Sequence, residues 1–211
     1  MVKSRLIIFS FISVVISLVS LFYFDLLLTQ YFHENQRNLN WVIFDHLTEI
    51  GERSYWIIIS GILYFMYRYF PHLDFFPRWV CRDKERCKRA TGFVALSALF
   101  SGLVVNIFKL IFARYRPVEY FEHDYFGFTW FDHGYRIASF PSGHSATALG
   151  LAVALTILFP RFKYPIFIMG LLIMFSRVVL VEHYFSDVVM GGFVGVMSVL
   201  YLYQKYYRLV F

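Results

Sequence analysis

The sequence predicts an all-α membrane protein with six transmembrane helices and both termini cytoplasmic, and three observations predict it. Of its 211 residues, 59% are hydrophobic and only 16% charged, too apolar for a water-soluble domain of this length. The apolar residues fall in runs long enough, or nearly so, to cross a hydrocarbon core of about 30 Å. Basic residues gather at the ends of alternate runs, as they do on segments retained in the cytoplasm. An aromatic content of 22% suits lipid-facing and interfacial surface. The chain reads as a single domain, 1–211, without an internal repeat.

The first span runs from about Leu6 to Leu28 behind Lys3 and Arg5, interrupted only by serines and by Asp25 near its end. No small-x-small cleavage site follows, so it reads as an uncleaved helix. Residues 29–53 mix charges with Trp41, Phe44, Leu47 and Ile50 at about helical spacing. That pattern predicts a short amphipathic helix at the membrane surface, with a solvated connector as the alternative. A second span covers Tyr55 to Phe70. The following loop, Pro71 to Arg89, holds Arg78, Arg82, Lys84, Arg86, Lys88 and Arg89 and places that end in the cytoplasm. Cys81 and Cys87 lie in it and are expected to be lone thiols, neither a disulfide nor a metal site. The third span, about Thr91 to Ala113, carries Asn106 and Lys109 near its outer end, and a charge inside an apolar run marks a functional site by default. The connector Arg114 to Phe140 is rich in rings and acids and reads as a lid at the outer interface, with Arg114 snorkelling to headgroups. Spans from about Gly143 to Phe159, Tyr164 to Val181, and Ser186 to just before Lys205 complete the set, with Arg161, Lys163, Lys205 and Arg208 at cytoplasmic ends.

One stretch at the start of the fourth span is built differently from its surroundings: Ser139-Phe140-Pro141-Ser142-Gly143-His144-Ser145-Ala146-Thr147. Pro141 ends what precedes it, Ser142 is a good N-cap, and Gly143 lets a ligand approach the backbone. The free amides of the first turn face outward with a partial positive charge, which suits a phosphate. Two further clusters fall on the same outer side. Lys109 is followed by Arg116-Pro117, and Ser176-Arg177 by His183 and Asp187. His183 and Asp187 share a face if both are helical, so that the carboxylate fixes one imidazole nitrogen and leaves the other free. Lys109 and Arg116 point the same way if the helix persists through both. Arg177 and His183 would stand about 120° apart on an ideal helix, so the chain is expected to leave the helix near Glu182. Each feature alone is common without chemistry; the ordered set of three is specific.

Together these clusters, from Lys109 to Asp187, resemble the signature of the type 2 phosphatidic acid phosphatase superfamily, which includes membrane lipid phosphatases and soluble haloperoxidases. Every motif position is filled, within a core of about 91–208. The resemblance implies that His183 is the nucleophile and takes the phosphoryl group as a phosphohistidine, with Asp187 as its orienting partner. His144 would be the general acid that protonates the leaving oxygen. Lys109, Arg116 and Arg177, with Ser142 and the Gly143 and His144 amides, would hold the phosphate. Neither a metal nor another cofactor is expected, because the nearby carboxylates lack clustered ligand spacing and the cations already supply the charge.

The function so implied is metal-independent dephosphorylation of a membrane lipid phosphate, on the periplasmic face of a bacterial inner membrane. Lipid A phosphate, undecaprenyl diphosphate and phosphatidylglycerol phosphate are the candidate substrates. The broad aromatic connector, with Phe126, Phe128 and Trp130, favours the large glycolipid. The expected partners are that substrate and the bilayer. Nucleic acid is not among them, because the net charge of +6 is explained by cytoplasmic helix ends. The rival readings are an anion or proton-coupled transporter, whose paired repeats are not visible, and a catalytically silent family member, which the intact His144, His183 and Asp187 argue against.

Overall fold

The structure, a computed structural model, describes residues 2–36, 41–70, 83–132 and 134–207. Among these residues the regular elements are helices, with no strand: α1 Val2–Tyr23, α2 Asp25–Glu34, α3 Trp41–Glu49, α4 Arg53–Tyr69, α5 Lys84–Ile111, α6 Pro117–His123, α7 Gly143–Leu158, α8 Lys163–Val179 and α9 Phe185–Leu202. Four segments are long and apolar enough to cross a membrane by length and composition: Ser4–Tyr23, Lys84–Ile111, Pro160–Val179 and Phe185–Tyr207. The helices α4 and α7 have 17 and 16 residues and rise about 24–26 Å.

Helix α9 is the axis of the bundle, packed against α7, α1 and α5, while α4 lies mainly on α5 and α8 mainly on α7. Its glycines decide how closely α7 approaches. A methyl group on Gly191 would overlap the Ser142 backbone, and one on Gly195 would overlap the Ala146 carbonyl. The two positions are one helical turn apart, so they form a smooth stripe on which the first turn of α7 rests. This contact sets the His144 end of α7 beside the start of α9. Gly191→Ala is therefore expected to cost about 1–3 kcal/mol, since backbone cannot yield as a side chain would. Thermal unfolding in detergent measures it.

Several boundaries differ from the sequence reading, each for a physical reason. The first span stops at Tyr23, and the chain restarts as α2 at Asp25, because the Asp25 carboxylate is fully buried and accepts the Ser186 amide of α9. Helix α3 falls where the short amphipathic helix was expected and is not a solvated connector. Phe44 and Leu47 pack on the cluster formed by Ile173, Met174 and Val178 of α8, with the Phe44 and Phe175 rings 6.3 Å apart. The basic loop is partly helix: Asp83 caps α5 by accepting the Arg86 amide at 2.7 Å, and Lys84 to Arg89 form its first turns. Arg78, Cys81 and Arg82 lie outside the described residues. Cys87 is buried at the start of α5, and the expectation for the two thiols falls in part on Cys81, outside the described residues.

Candidate active site

A cavity of about 220 Å³ opens where the N-termini of α4 and α7 meet the C-terminal ends of α5 and α8. Lys109, Arg116, Gly143, His144, Arg177 and His183 line it, together with Gly51, Glu52, Arg53, Tyr135 and Thr147. Six of the eight residues singled out in the sequence thus converge. Ser142 and Asp187 stand behind the wall. Ser142 is fully buried as the N-cap of α7, its hydroxyl oxygen accepting the Ser145 amide at 3.4 Å. Its own amide donates to the Asp187 carbonyl at 3.0 Å.

His183 does not share a helix with Asp187. After Val179 the chain leaves α8 through Val181, at a left-handed φ of 57°. The Glu182 and His183 amides both return to the Arg177 carbonyl, so the ring and the guanidinium meet at one cavity despite their helical offset. The helix therefore ends about three residues earlier than expected. Asp187 is the N3 residue of α9, its Oδ2 accepting the Tyr184 amide at 3.1 Å. The His183 Nδ1 lies 3.6 Å from that same Oδ2, beyond hydrogen-bond length. Ser139 Oγ is nearer the ring, at 3.4 Å, and donates to Asp187 Oδ2 at 2.6 Å. Nδ1–H can then donate to the hydroxyl and the hydroxyl to the carboxylate, which leaves Nε2 as the free nitrogen. Burial, then the positive charges of Arg116, Lys109 and Arg177, push the His183 imidazole well below its ordinary range. It is neutral, with a lone pair to use.

Behind this pair lies a residue the sequence reading misplaced. Arg114 does not snorkel; it is fully buried. Its Nη1 donates to Asp187 Oδ1 at 2.5 Å and Ser186 Oγ at 2.8 Å, and its Nη2 to Asp25 Oδ2 at 2.8 Å. The Tyr184 ring lies 4.2 Å from the guanidinium carbon, and Phe126 and Phe128 each 5.3 Å. Two connector rings expected to meet lipid thus cover a buried charge instead. The connector is also zipped to the chain beside it: Arg114 N donates to Ile137 O, Arg116 N to Arg136 O and Thr129 N to Ala113 O.

The cations reach the cavity by separate routes. Helix α5 stops at Ile111, so Lys109 and Arg116 do not share a helix. Lys109 Nζ donates to the Ala138 carbonyl at 2.6 Å. Arg116 lies 4.0 Å from the Tyr135 ring and donates to Glu182 Oε2 at 3.0 Å. Arg177 donates to Thr48 of α3 at 2.9 Å and stands 3.5 Å from the same Glu182 oxygen. Arg53 is a fourth cation, and it fits because Gly102 has no side chain: a methyl group there would sit on its guanidinium. Glu52 Oε2 is 3.2 Å from His144 Nε2. Burial alone would raise the Glu52 pKa, but bonds from the Ser54 hydroxyl and amide, and the charges of His144 and Arg53, hold it below the ordinary range.

Sequence reasoning missed Glu52, Arg53, Thr48, Tyr135, Glu182 and Asp25, and gave Ser139, the first residue of the stretch it singled out, no role. Only Asp25, an acid inside an apolar run, carried a signal that could have found it. One group of possible metal ligands occurs among the described residues, Glu119, Glu122 and His123. Both of its glutamates are bonded to Arg136, and it lies outside the cavity.

The chain is 31% identical over 158 residues to the lipid A 1-phosphatase of Rhizobium etli, covering 73% of this chain and 66% of that protein. It is 30% identical over 148 residues to the lipid A 1-phosphatase of Rhizobium johnstonii, covering 69% of this chain and 59% of that one. The match thus spans slightly less than two thirds of the curated relatives' length. The fold is similar to the crystal structure of Aquifex aeolicus LpxE, with a TM-score of 0.61 over 87% of this chain and 97% of that one, at 22% identity. A family model for the PAP2 superfamily matches residues 90–211, the part that supplies both imidazoles, Asp187 and three of the four cavity cations, and the chain accordingly belongs to that superfamily.

Proposed function

We propose that the protein is an integral membrane phosphatase that removes phosphate from a membrane lipid without a metal ion, through a phosphohistidine at His183. The observation that carries this reading is the convergence of four cations and two imidazoles on one cavity, one imidazole being buried and neutral with Nδ1 already engaged. In the first step the Nε2 lone pair forms a bond to phosphorus and the P–O bond to the lipid breaks. The leaving oxygen takes its proton from His144. In the second, His144 takes a proton from water, whose oxygen bonds to phosphorus as the N–P bond breaks and inorganic phosphate leaves. Lys109, Arg116 and Arg177 meet the charge on the peripheral oxygens, aided by the amides at the start of α7. Glu52 holds His144 in place. Glu52→Gln is expected to lower kcat about 10-fold with little change in KM, read in steady-state phosphate release.

A lipid rather than a soluble ester is favoured by an apolar groove of about 370 Å³ that lies beside the cavity, on the far side of Gly51. Gly51, in the cavity wall, sits between His144 and Ile173; Ile50, Ile173, Met169, Ile166 and Leu155 carry the groove away along α7 and α8. From Ile173 to Phe162 the α8 wall rises about 16 Å, roughly half of a hydrocarbon core and so the depth of one leaflet. The names of the curated relatives favour lipid A phosphate among the candidates. Six spans, both termini cytoplasmic and a cavity facing the periplasm of a bacterial inner membrane complete the reading. It is supported by Lys84 to Arg89, Arg161 and Lys163, which lie at helix ends away from the cavity. Tags at the two termini test the topology.

The test is phosphate release by purified protein from lipid A phosphate, undecaprenyl diphosphate, phosphatidylglycerol phosphate and a soluble phosphate ester, in chelator throughout. Turnover of at least one lipid, with inhibition by vanadate, is expected. Activity that vanishes with chelator and returns with Mg²⁺ would overturn the mechanism.

A further inference from the structure

Asp25 lies outside the stretch matched by the family model, yet it is bound to the same guanidinium as Asp187. We propose that Asp25 is a positioning residue for the reaction of His183: by sharing Arg114 it keeps the negative charge of Asp187 uncancelled and available to the imidazole. The inference rests on the phosphohistidine reading above.

The argument is a charge count in a buried space. Asp25, Arg114 and Asp187 are each fully buried. With both carboxylates ionised against one guanidinium, the cluster carries a net charge of −1. Asp25 is satisfied as an ion: its Oδ1 accepts the Ser186 amide at 2.9 Å, and its Oδ2 accepts the Ser186 hydroxyl and Arg114 Nη2. A buried, unbalanced anion is costly unless a cation comes to meet it. Lys109 faces Asp187 at longer range with its ammonium bonded to the Ala138 carbonyl; the neighbour that can gain a charge during the reaction is His183, Nδ1 of which is 3.6 Å from Asp187. When Nε2 bonds to phosphorus while Nδ1 keeps its hydrogen, the ring becomes cationic and the cluster neutral. The four charged groups thus balance in the phosphorylated state and not in the resting one. That arrangement favours the reacting state over the ground state, the requirement for lowering a barrier. Without the Asp25 charge, Arg114 and Asp187 would form a closed pair, and the developing imidazolium would find its counter-charge already taken.

A purely structural Asp25, pinning the α1–α2 break to α9, makes a different prediction, so the two are separable. The experiment uses the full chain in detergent and measures three things: trapping of radiolabelled phosphate on the protein in a single turnover, steady-state kcat and KM, and the thermal midpoint. Asp25→Asn keeps the side-chain shape and an oxygen for the Ser186 amide while removing the charge. The expected result is phosphoenzyme formation and kcat lowered about 10- to 100-fold, KM within about twofold, and a thermal midpoint no lower than wild type. The second variant combines Asp25→Asn with Arg114→Met, which returns the cluster to −1 while Ser139 and the Tyr184 amide still hold Asp187 Oδ2. It should form phosphoenzyme faster than Asp25→Asn alone. Asp25→Asn with wild-type kcat overturns the proposal, as does a fall in kcat that only tracks a fall in thermal midpoint. A double variant that folds and is slower than the single one overturns it too. Wild-type protein that releases phosphate without trapping label on His183 would instead overturn the phosphohistidine reading itself.

Discussion

His183→Ala is expected to reduce turnover by about 10³-fold or more, because among the described residues no other side chain at the cavity has a neutral nitrogen backed by a hydroxyl and a carboxylate. The ring is only 2% exposed, so the alanine variant also leaves a hole, and about 1–3 kcal/mol of stability is expected to go with it. His183→Asn fills more of the space and separates the two effects: it should recover most of the stability and none of the activity. Retention of activity within about tenfold of wild type would remove His183 from the mechanism. The pH dependence gives a second check. The folded-state pKa of this imidazole is depressed from an unfolded value of about 6.5. As pH falls below that value the unfolded chain takes up a proton that the folded ring refuses, so stability declines towards acid. The thermal midpoint of wild type should therefore fall more steeply than that of His183→Ala between neutral and mildly acid pH. For the same reason the acid limb of kcat/KM, which reports the free enzyme, should lie below the ordinary imidazole range, the nucleophile staying unprotonated there.

Arg114→Met should be the most destabilising single substitution of a charged residue in the described part of the chain. It leaves Asp25 and Asp187 buried without a counter-charge, and breaking a buried ion pair from one side costs about 3–5 kcal/mol. It also strips the cation from beneath the Tyr184, Phe126 and Phe128 rings. Arg114→Lys should not rescue it, because an ammonium cannot reach two carboxylates and a hydroxyl with one planar fork. Thermal unfolding and expression in membranes measure the effect. By contrast Arg116→Met, two residues away, should leave the fold nearly intact and lower phosphate release instead, since Arg116 lines the cavity. An Arg114→Met protein as stable as wild type would show that the carboxylates take up protons and tolerate the loss. Replacing Phe126, Phe128 and Trp130 together with alanine should lower turnover of all substrates along with stability, because two of these rings cover Arg114, and Tyr135, at the cavity, is the better probe of lipid preference.

The helices of the bundle were readable because a membrane span is a local property: length and apolar content within one window suffice. The three motif clusters were readable for a related reason, since small residues, a proline and charges beside an apolar run are unusual wherever they fold. What the sequence by itself determined is therefore the class of protein, the start of α7 at Ser142, and the identity of the two imidazoles and three of the cations. The tertiary structure alone decided the rest. Asp25 and Asp187 are 162 residues apart in the chain by their numbers, and no spacing rule reports that one guanidinium joins them. Arg114 and Arg116 look alike in sequence, two arginines at the end of one span, yet one is sealed under rings as scaffold and the other lines the cavity. Glu52, Arg53 and Thr48 enter the site only because α3 and α4 pack against helices far along the chain. Local hydropathy specifies which segments leave water, whereas the partners of a buried charge are chosen by which segments meet once they have left it.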